Sequence, residues 1–305
     1  MTNVILQMAG LILCGIVWRL AKPAGLDFLL TRKVLTNLVY YLLLPALVLS
    51  VLWKAELGGQ SWRIALSAAS GVCAGLLVGL FICRLCSNRR AETGAILLAT
   101  AFPNATYLGL PALEATFGTW ARSVAIQYDL FGCVPLLYTV GMLIGARFGE
   151  GHGIHPNLFG GLVRIPPLWA AVVAVVLNSL QVPMPEVVDG LLGLLQRGVV
   201  PLMLFSLGLS LEWKPSRIRY LAPIMPVIVL RLFVLPAFVL LVASTLGLTG
   251  EMRAAVVLEA AMPSMVIGIV ICDRFNLDVS LYATAVTVTT SISMLTLPLW
   301  YQWLL

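Results

Sequence analysis

Long apolar runs, each bounded by charged residues or by Gly and Pro, follow one another along almost all of the 305-residue chain. A helix needs about 20 apolar residues to cross the hydrocarbon core of a bilayer, and ten of the runs approach or exceed that length. The predicted spans, numbered one to ten, cover residues 4–21, 34–53, 62–83, 93–113, 123–146, 163–181, 187–209, 220–246, 252–273 and 280–304. The pattern predicts an all-α membrane protein with ten transmembrane helices.

Composition supports this prediction and excludes other classes of protein. The chain is 60% hydrophobic and only 10% charged, whereas soluble domains are about half apolar and a quarter charged. The net charge of +6 does not indicate a nucleic-acid partner, because the basic residues lie in the connections rather than on one soluble face. No phosphate-binding loop of the form Gly-x-x-x-x-Gly-Lys-[Ser/Thr] is present, so no nucleotide partner is predicted.

The basic residues predict the orientation of the spans. Connections after odd-numbered spans hold thirteen Lys and Arg residues, and those after even-numbered spans hold four. Cytoplasmic connections carry the excess of Lys and Arg, so both termini are predicted to face outside, with the connection at 147–163 in the cytoplasm. The other two basic residues, Arg197 and Arg231, are predicted to be buried within spans seven and eight.

Ten spans divide into two sets of five around one polar connection. Residues 1–149 are predicted to form a first five-helix repeat, 150–162 a short cytoplasmic connection, and 163–305 a second repeat. Because five is odd, the two repeats enter the membrane in opposite senses. The prolines of spans four and nine, Pro103 and Pro263, lie 160 residues apart. Inverted repeats with interrupted helices in matching positions are typical of secondary transporters that bind substrate near the midplane.

Span four contains the most informative motif. Pro103 and Pro111 remove backbone donors, and Asn104, Thr106 and Gly109 lie between them. An unwound segment at this depth is tolerated only where it is buried in protein or lines a cavity, and the helix N-terminus beyond it favours an anion. The alternative is a proline kink satisfied by neighbouring helices.

Span nine repeats the pattern around Pro263 and Ser264. Helices four and nine are therefore predicted to be broken and to cross at mid-membrane. The predicted substrate-binding residues are Pro103, Asn104, Thr106, Tyr107, Gly109, Pro263 and Ser264.

Four ionisable residues lie well inside the predicted spans. A charge at the centre of a membrane helix costs at least about 2.5 kcal/mol, so each requires a partner, a water-filled cavity or a function. Asp129 is predicted to be a protonatable coupling group, with a structural ion pair as the alternative. Glu259 either serves similarly or pairs with Arg231, and Arg197 is predicted to have a packing role.

Enzymatic and metal sites have little support in the sequence. The histidines, His152 and His155, both lie in the central connection, and Cys83 and Cys86 have no nearby His or second Cys pair, so helix packing explains them better than a metal site. An intramembrane hydrolase is a remote alternative, because the Gly-x-Gly-Asp segment of intramembrane aspartyl proteases is absent. No catalytic or metal-binding residue is predicted. An anion channel or an uncoupled uniporter remains the main alternative to a transporter.

Four motifs together resemble the auxin efflux carrier family, in particular its short microbial members similar to malonate and malate permeases. They are Asn104-x-x-Tyr107-x-Gly109-x-Pro111, the segment from Pro201 to Leu211, Met262-Pro-Ser264 and Thr296-Leu-Pro298. The resemblance implies a five-plus-five inverted repeat, with crossed broken helices four and nine. It also implies elevator-like movement of spans three to five and eight to ten against a scaffold of spans one, two, six and seven.

The resemblance also implies a secondary active transporter of a small organic anion. The central connection is far shorter than that of plant auxin carriers, and Phe102 precedes Pro103 where those carriers have Asn-Pro-Asn. The short connection makes auxin a poor substrate prediction, and a mono- or dicarboxylate is predicted instead; the Phe102 difference concerns one side-chain contact to the ligand. The predicted location is the plasma (inner) membrane of a prokaryote. No cofactor is predicted apart from a coupling H⁺ or Na⁺. The Gly-x-x-x-Gly stripes of spans three and five favour internal packing, with a homodimer contact as the alternative.

Overall fold

The computed structural model describes residues 2–55, 57–86, 89–149, 160, 163–211 and 219–305. These residues form helices joined by short connections. No strand occurs among them, and their single isolated β-bridge joins Pro103 to Ser264. The predicted all-α class is confirmed. The predicted connection at 150–162, with both histidines, lies outside the described residues except for Gly160.

Twelve helices in the described part of the chain are numbered here in order. They are α1 Thr2–Ala21, α2 Phe28–Lys54, α3 Ser61–Cys86, α4 Arg90–Ala101, α5 Leu110–Phe117, α6 Ala121–Phe148, α7 Pro166–Ser179, α8 Glu186–Ser210, α9 Leu221–Thr245, α10 Gly250–Ala260, α11 Gly268–Arg274 and α12 Val279–Leu304.

Seven of these helices are long and apolar enough to cross a membrane, namely α1, α2, α3, α6, α8, α9 and α12. The chain is thus a multi-pass membrane protein. The helix that contains the predicted second span, α2, begins before residue 34, at Phe28. The carboxylate of Asp27 caps this helix by accepting hydrogen bonds from the backbone N–H groups of Leu29 and Leu30. Arg32 therefore lies inside the helix and not before it.

Two non-helical segments lie where predicted spans four and nine contain their prolines. Helix α4 ends at Ala101, and a π-helical turn over Ala105–Gly109 leads into α5. Helix α10 ends at Ala260, and α11 begins at Gly268.

The two segments pair with each other in antiparallel fashion. The N–H of Asn104 donates to the carbonyl of Pro263 at 2.8 Å, and the N–H of Met265 donates to the carbonyl of Phe102 at 3.0 Å. Backbone groups buried away from water require such partners. Each non-helical segment thus supplies hydrogen bonds that the other lacks.

Four π-helical turns occur at a constant offset from a proline. A proline has no N–H, so the carbonyl four residues before it loses its helical partner and the chain locally widens to an i→i+5 pattern. The carbonyl of Leu232, four residues before Pro236, instead accepts a hydrogen bond from the Trp300 indole at 2.8 Å. The turns Val39–Leu43, Ala105–Gly109, Tyr128–Cys133 and Leu230–Val234 each end two residues before a proline.

The helices pack in two groups. Among the described residues, the most extensive contacts join α1 to α8 and α2 to α7, while α3 packs on α4, α6 and α9, and α9 packs on α10. In the first group Gly15 allows a close approach, because a Cβ there would lie 3.0 Å from the Cα of Gly208. In the second, a Cβ on Gly75 would lie 2.9 Å from the Cα of Ala101, so the glycine stripe of span three faces an internal neighbour.

The prediction that Arg197 is buried is wrong. Arg197 is exposed, and it lies with Gly198 at a turn within α8. An apolar sequence environment does not determine which side of a helix faces the core, and this turn directs the arginine away from it. Arg231, by contrast, is 1% exposed, as predicted.

Candidate functional site

An enclosed cavity of about 50 Å³ lies beside the paired non-helical segments, between the two groups of helices. Its polar lining comes mainly from Asn104 of the first non-helical segment, from Thr106 of the π-helical turn that follows, and from Asp129 of α6. The remaining lining is apolar or aromatic. The lining residues are Tyr40, Leu44, Asn104, Thr106, Tyr107, Asp129, Leu130, Val134, Leu137, Tyr138, Ile165, Pro167, Met265 and Ile267.

The backbone of Asn104 is fixed by a hydrogen bond, and the residue lines the cavity. The residue is 2% exposed, and its N–H is bonded to the Pro263 carbonyl. Its side-chain Nδ2 has no hydrogen-bond partner within the described structure. A buried polar group without a partner costs about 1–3 kcal/mol. The cavity therefore presents an amide donor available to a ligand.

Asp129 presents the complementary acceptor. It lies in the π-helical turn Tyr128–Cys133 and is 4% exposed. Its Oδ2 accepts a hydrogen bond from the Thr106 hydroxyl, and its Oδ1 has no partner among the described groups. A ligand that carries both a donor and an acceptor can satisfy Asp129 and Asn104 together.

Three other predicted substrate-binding residues hold the paired segments together instead of lining the cavity. Pro103 and Ser264 form the antiparallel bridge, and the Pro263 carbonyl accepts the Asn104 N–H. The Ser264 hydroxyl donates to the carbonyl of Ala99 at 2.7 Å. Pro103, four residues after Ala99, has no N–H to bond that carbonyl. The serine therefore replaces a helical hydrogen bond that the proline removes.

Gly109 and Glu259 contact each other away from the cavity. A Cβ on Gly109 would lie 2.7 Å from the Glu259 carboxyl carbon, so the close approach requires glycine. Glu259 is 0% exposed, and both its carboxyl oxygens lack a hydrogen-bond partner within the described structure. The alternative in which Glu259 pairs with Arg231 is wrong, because no ion pair or hydrogen bond joins these two described residues.

Arg231 contacts the ends of helices rather than a carboxylate. Its Nη1 donates to the carbonyls of Thr100 and Ala101, each at 3.1 Å, and its Nη2 donates to the carbonyl of Ala260. These carbonyls terminate α4 and α10. The buried charge is thus compensated by helix C-termini, where partial negative charge accumulates.

The structure adds lining residues that the sequence analysis did not single out. Tyr40 of α2 and Tyr138 of α6 line the cavity, and Met265 and Ile267 line it on the side of the second segment. A hydroxyl-bearing side chain inside an apolar span was an available signal for both tyrosines. The apolar lining residues give no such signal, because they resemble every other lipid-facing or core position.

A polar cleft of about 950 Å³ opens on the side of Lys54 and Trp120. Within it Arg122 of α6 forms an ion pair with Glu114 and donates to Gln196 of α8 at 3.3 Å. A narrow gap is lined by the apolar side chains of Leu44, Val48, Leu110, Ala125, Ile126 and Leu130. Leu44 and Leu130 also line the enclosed cavity. Ala125 and Ile126 are the sequence neighbours of two residues that line the cleft, Val124 and Gln127.

A third space, of about 70 Å³ and called the small cavity here because it is far smaller than the cleft, lies on the side of Arg32 and Ser210. It shares Tyr107 and Ile267 with the enclosed cavity. Cleft, enclosed cavity and small cavity therefore follow one another between the two groups of helices.

Comparison with known proteins identifies the family. A family model described as membrane transport protein matches residues 30–158 and 152–301. An uncharacterized transporter of Methanothermobacter thermautotrophicus is 30% identical over 304 residues, which is 98% of this chain and 97% of the relative. The uncharacterized transporter YfdV of Escherichia coli is 25% identical over 69% of this chain and 68% of its own.

A plant protein is also similar. The probable auxin efflux carrier component 5b of Oryza sativa is 26% identical over 65% of this chain and 64% of its own length. The chain belongs to the membrane transport protein family, which is the auxin efflux carrier family predicted from the motifs. The family and the names of these relatives indicate a transporter and not an enzyme.

Proposed function

We propose that this family member is a secondary active transporter that moves a small organic anion, a mono- or dicarboxylate, through the enclosed cavity. The observation that carries the proposal is the pair of buried groups that line this cavity without partners, the Asn104 amide and the Asp129 carboxyl oxygen. Buried polar groups usually have a hydrogen-bond partner, and of the sixteen buried side-chain atoms without one in the described part of the chain, these two belong to residues that line the cavity. A ligand that satisfies both explains why they are retained at membrane depth.

A carboxylate fits the polar side of the cavity. The Asn104 amide supplies a donor, and the helical turn that begins at Ala105 directs its N-terminus to the same place. Helix N-termini favour anions. The rest of the lining, including Tyr40 and Leu130, is suited to a short apolar body. Among the residues predicted to bind substrate, Asn104, Thr106 and Tyr107 contact the ligand in this proposal.

Asp129 is the proposed coupling group. An ionised carboxylate beside a bound carboxylate is repulsive in a buried site, whereas a protonated carboxyl donates a hydrogen bond to the anion. Binding of the substrate anion is therefore linked to binding of one proton at Asp129. The Thr106 hydroxyl, which bonds the other oxygen, orients the carboxyl group.

The proposed architecture has ten membrane segments in two inverted repeats of five, 1–149 and 163–305. Helices α4 and α5 with the turn between them form segment four, and α10 and α11 form segment nine, so the paired non-helical segments become the crossing point. Their antiparallel hydrogen bonds support this arrangement. With both termini outside, the polar cleft at Lys54 opens to the exterior of a prokaryotic plasma membrane. Relatives from an archaeon and a bacterium support that location.

Elevator-like movement of one group of helices against the other is part of this proposal. The proposed scaffold is α1, α2, α7 and α8, and the other helices form the moving part. The two-group packing of the helices supports this division. Movement of the second group along the first carries the cavity from the cleft to the small cavity on the opposite side.

Reconstitution in liposomes tests the proposed function. Uptake of a panel of labelled mono- and dicarboxylates is measured under imposed H⁺ and Na⁺ gradients, with protein-free liposomes as background. We expect saturable, proton-dependent uptake of at least one acid. Substitution Asn104→Ala removes the free amide and lowers kcat/KM for that acid at least about tenfold.

The same assay separates the alternatives. Saturable uptake that is unaffected by the H⁺ and Na⁺ gradients would identify a uniporter. Currents that do not saturate with the concentration of the acid would identify a channel. Failure of every acid in the panel would reject the organic-anion assignment.

A further inference from the structure

Helices α4 and α10 end at the same point in the interior, and their last carbonyls need partners. A helix leaves its final four carbonyls without intrahelical donors, and no water is present in the membrane core to replace them. For α4, the Ala99 carbonyl is satisfied by Ser264 and the Phe102 carbonyl by the Met265 N–H. Two carbonyls of α4, at Thr100 and Ala101, remain, together with that of Ala260 in α10.

Arg231 satisfies all three remaining carbonyls. Its two terminal nitrogens donate to Thr100, Ala101 and Ala260, while its guanidinium is 1% exposed and has no carboxylate partner among the described residues. Arg is never deprotonated in proteins. A fixed positive charge therefore lies where two helix C-termini converge.

Converging helix C-termini and unwound carbonyls are the groups that coordinate Na⁺ in transporters with interrupted helices. Hard cations take several oxygen ligands. The carbonyls of Thr100, Ala101 and Ala260 would supply three such oxygens at the meeting point of α4 and α10. Here each of them is already bonded to guanidinium N–H groups.

We propose that the guanidinium of Arg231 replaces a coupling metal cation at the meeting point of α4 and α10, so that transport needs no Na⁺ there. The inference rests on the proposed transporter function, because a coupling cation is meaningful only in a transporter. It narrows the predicted coupling ion to H⁺ and assigns Arg231 a positioning role, as it holds two helix ends together in every step of the cycle.

Thermal unfolding of the purified protein tests the replacement without any transport assay. The Tm is measured in NaCl and in choline chloride at equal ionic strength, for wild type, Arg231→Lys, Arg231→Met and Arg231→Gln. Wild type and Arg231→Lys are expected to have the same Tm in both salts. The Met and Gln variants are expected to have a lower Tm in choline, and Na⁺ is expected to raise it saturably by at least about 2 °C.

Arg63→Met is the matched control. Arg63 also donates to a carbonyl beyond a helix end, that of the exposed Gly247, so no Na⁺ dependence is expected. A Na⁺-dependent rise of equal size in wild type and all variants, or a rise in none of them, would overturn the proposal. If neither neutral variant folds, binding of radioactive Na⁺ to the wild-type protein decides, since saturable binding contradicts the proposal and its absence supports it.

The experiments distinguish failure of the proposed transport function from failure of the proposed role of Arg231. If no organic acid is transported, the Tm measurements still report whether Arg231 occupies a cation position. If an acid is transported, replacement of Na⁺ by choline on both sides of the liposome membrane is expected to leave its uptake unchanged.

Discussion

At the scale of single residues, the cavity is lined by one side-chain hydrogen bond and by two polar atoms that have no described partner. The Thr106 hydroxyl bonds Asp129, while the second oxygen of Asp129 and the Asn104 amide have no described partner. A buried carboxyl whose orientation is set by one neighbour can bind a ligand or a proton through its other oxygen. The chemistry of the site thus depends on a few atoms held by the surrounding backbone.

Thr106→Val removes the hydroxyl at nearly constant volume. Loss of the hydrogen bond frees the Asp129 carboxyl to rotate, and we expect kcat/KM for the transported acid to fall about tenfold. The measurement is initial uptake in proteoliposomes. Thr139→Val is the matched control, because Thr139 is also half-buried and bonds only its own helix, at the Pro135 carbonyl. Equal losses in both variants would contradict an orienting role for Thr106.

Gly109→Ala introduces a methyl group against the Glu259 carboxyl. Overpacking of this kind costs about 1–3 kcal/mol, so the Tm of the purified protein is expected to fall. In the double variant with Glu259→Ala the Tm is expected to recover in part, because the obstructing group is gone. Gly10→Ala serves as control, since no atom lies within 4 Å of a Cβ at that exposed position. A double variant no more stable than Gly109→Ala alone would refute the steric explanation.

At the scale of elements, four prolines follow π-helical turns in which the regular helices give way, whereas the turn Leu137–Gly141 precedes no proline and Pro226 and Pro298 lie inside regular helix. Each of four π-helical turns ends two residues before a proline, and these turns contain Tyr40, Thr106, Asp129 and Arg231. Three of those residues line the cavity, and the fourth bonds the helix ends beside it. The prolines thus free backbone groups and reorient side chains at the depth where the ligand is proposed to bind.

Ser264→Ala tests the pairing of the two non-helical segments. The Ala99 carbonyl loses its donor, and a buried unsatisfied carbonyl costs about 1–3 kcal/mol, so a lower Tm is expected. Ser293→Ala is the matched control, because Ser293 is also fully buried and donates at 2.7 Å, but to Thr290 within its own helix. If the two variants lose the same amount of stability, the serine does not join the segments as described.

The sequence predicts the helices better than it predicts their contacts. Apolar length identifies the seven long helices, and Pro103 and Pro263 mark the stretches where helical structure is absent. Arg197 was predicted to be buried because its neighbours are apolar, but a local turn exposes it. The partners of Arg231 are backbone carbonyls, which have no signature in the sequence because every residue carries one. Tertiary packing alone decides which carbonyls converge.

At the scale of the whole molecule, two groups of helices meet along a line of cavities. The polar cleft, the enclosed cavity and the small cavity near Arg32 lie along this boundary. Apolar side chains such as Leu110 and Ile126 separate the first two. In the proposed transporter these cavities are successive parts of one pathway, and relative movement of the groups opens each side in turn.

The proposed topology is tested by cysteine labelling. Two single-cysteine variants, Gly59→Cys and Asp273→Cys, are made in a background without native cysteines. Position 59 lies between α2 and α3, position 273 lies near the end of α11, and both are exposed. The excess of Lys and Arg faces the cytoplasm. A membrane-impermeant maleimide is therefore expected to label position 59 in intact cells and position 273 only after permeabilisation. The reverse pattern would place both termini inside.

The most direct test of the account compares exchange with net uptake for Asp129→Asn. In proteoliposomes, wild type is expected to show both counterflow exchange of the transported acid and net uptake accelerated by an inward proton gradient. Asparagine binds no coupling proton yet retains the shape and hydrogen-bonding atoms of the site. The variant is expected to keep measurable exchange and to lose the acceleration by the proton gradient. Net uptake by Asp129→Asn with the wild-type rate and the wild-type response to pH would contradict the account.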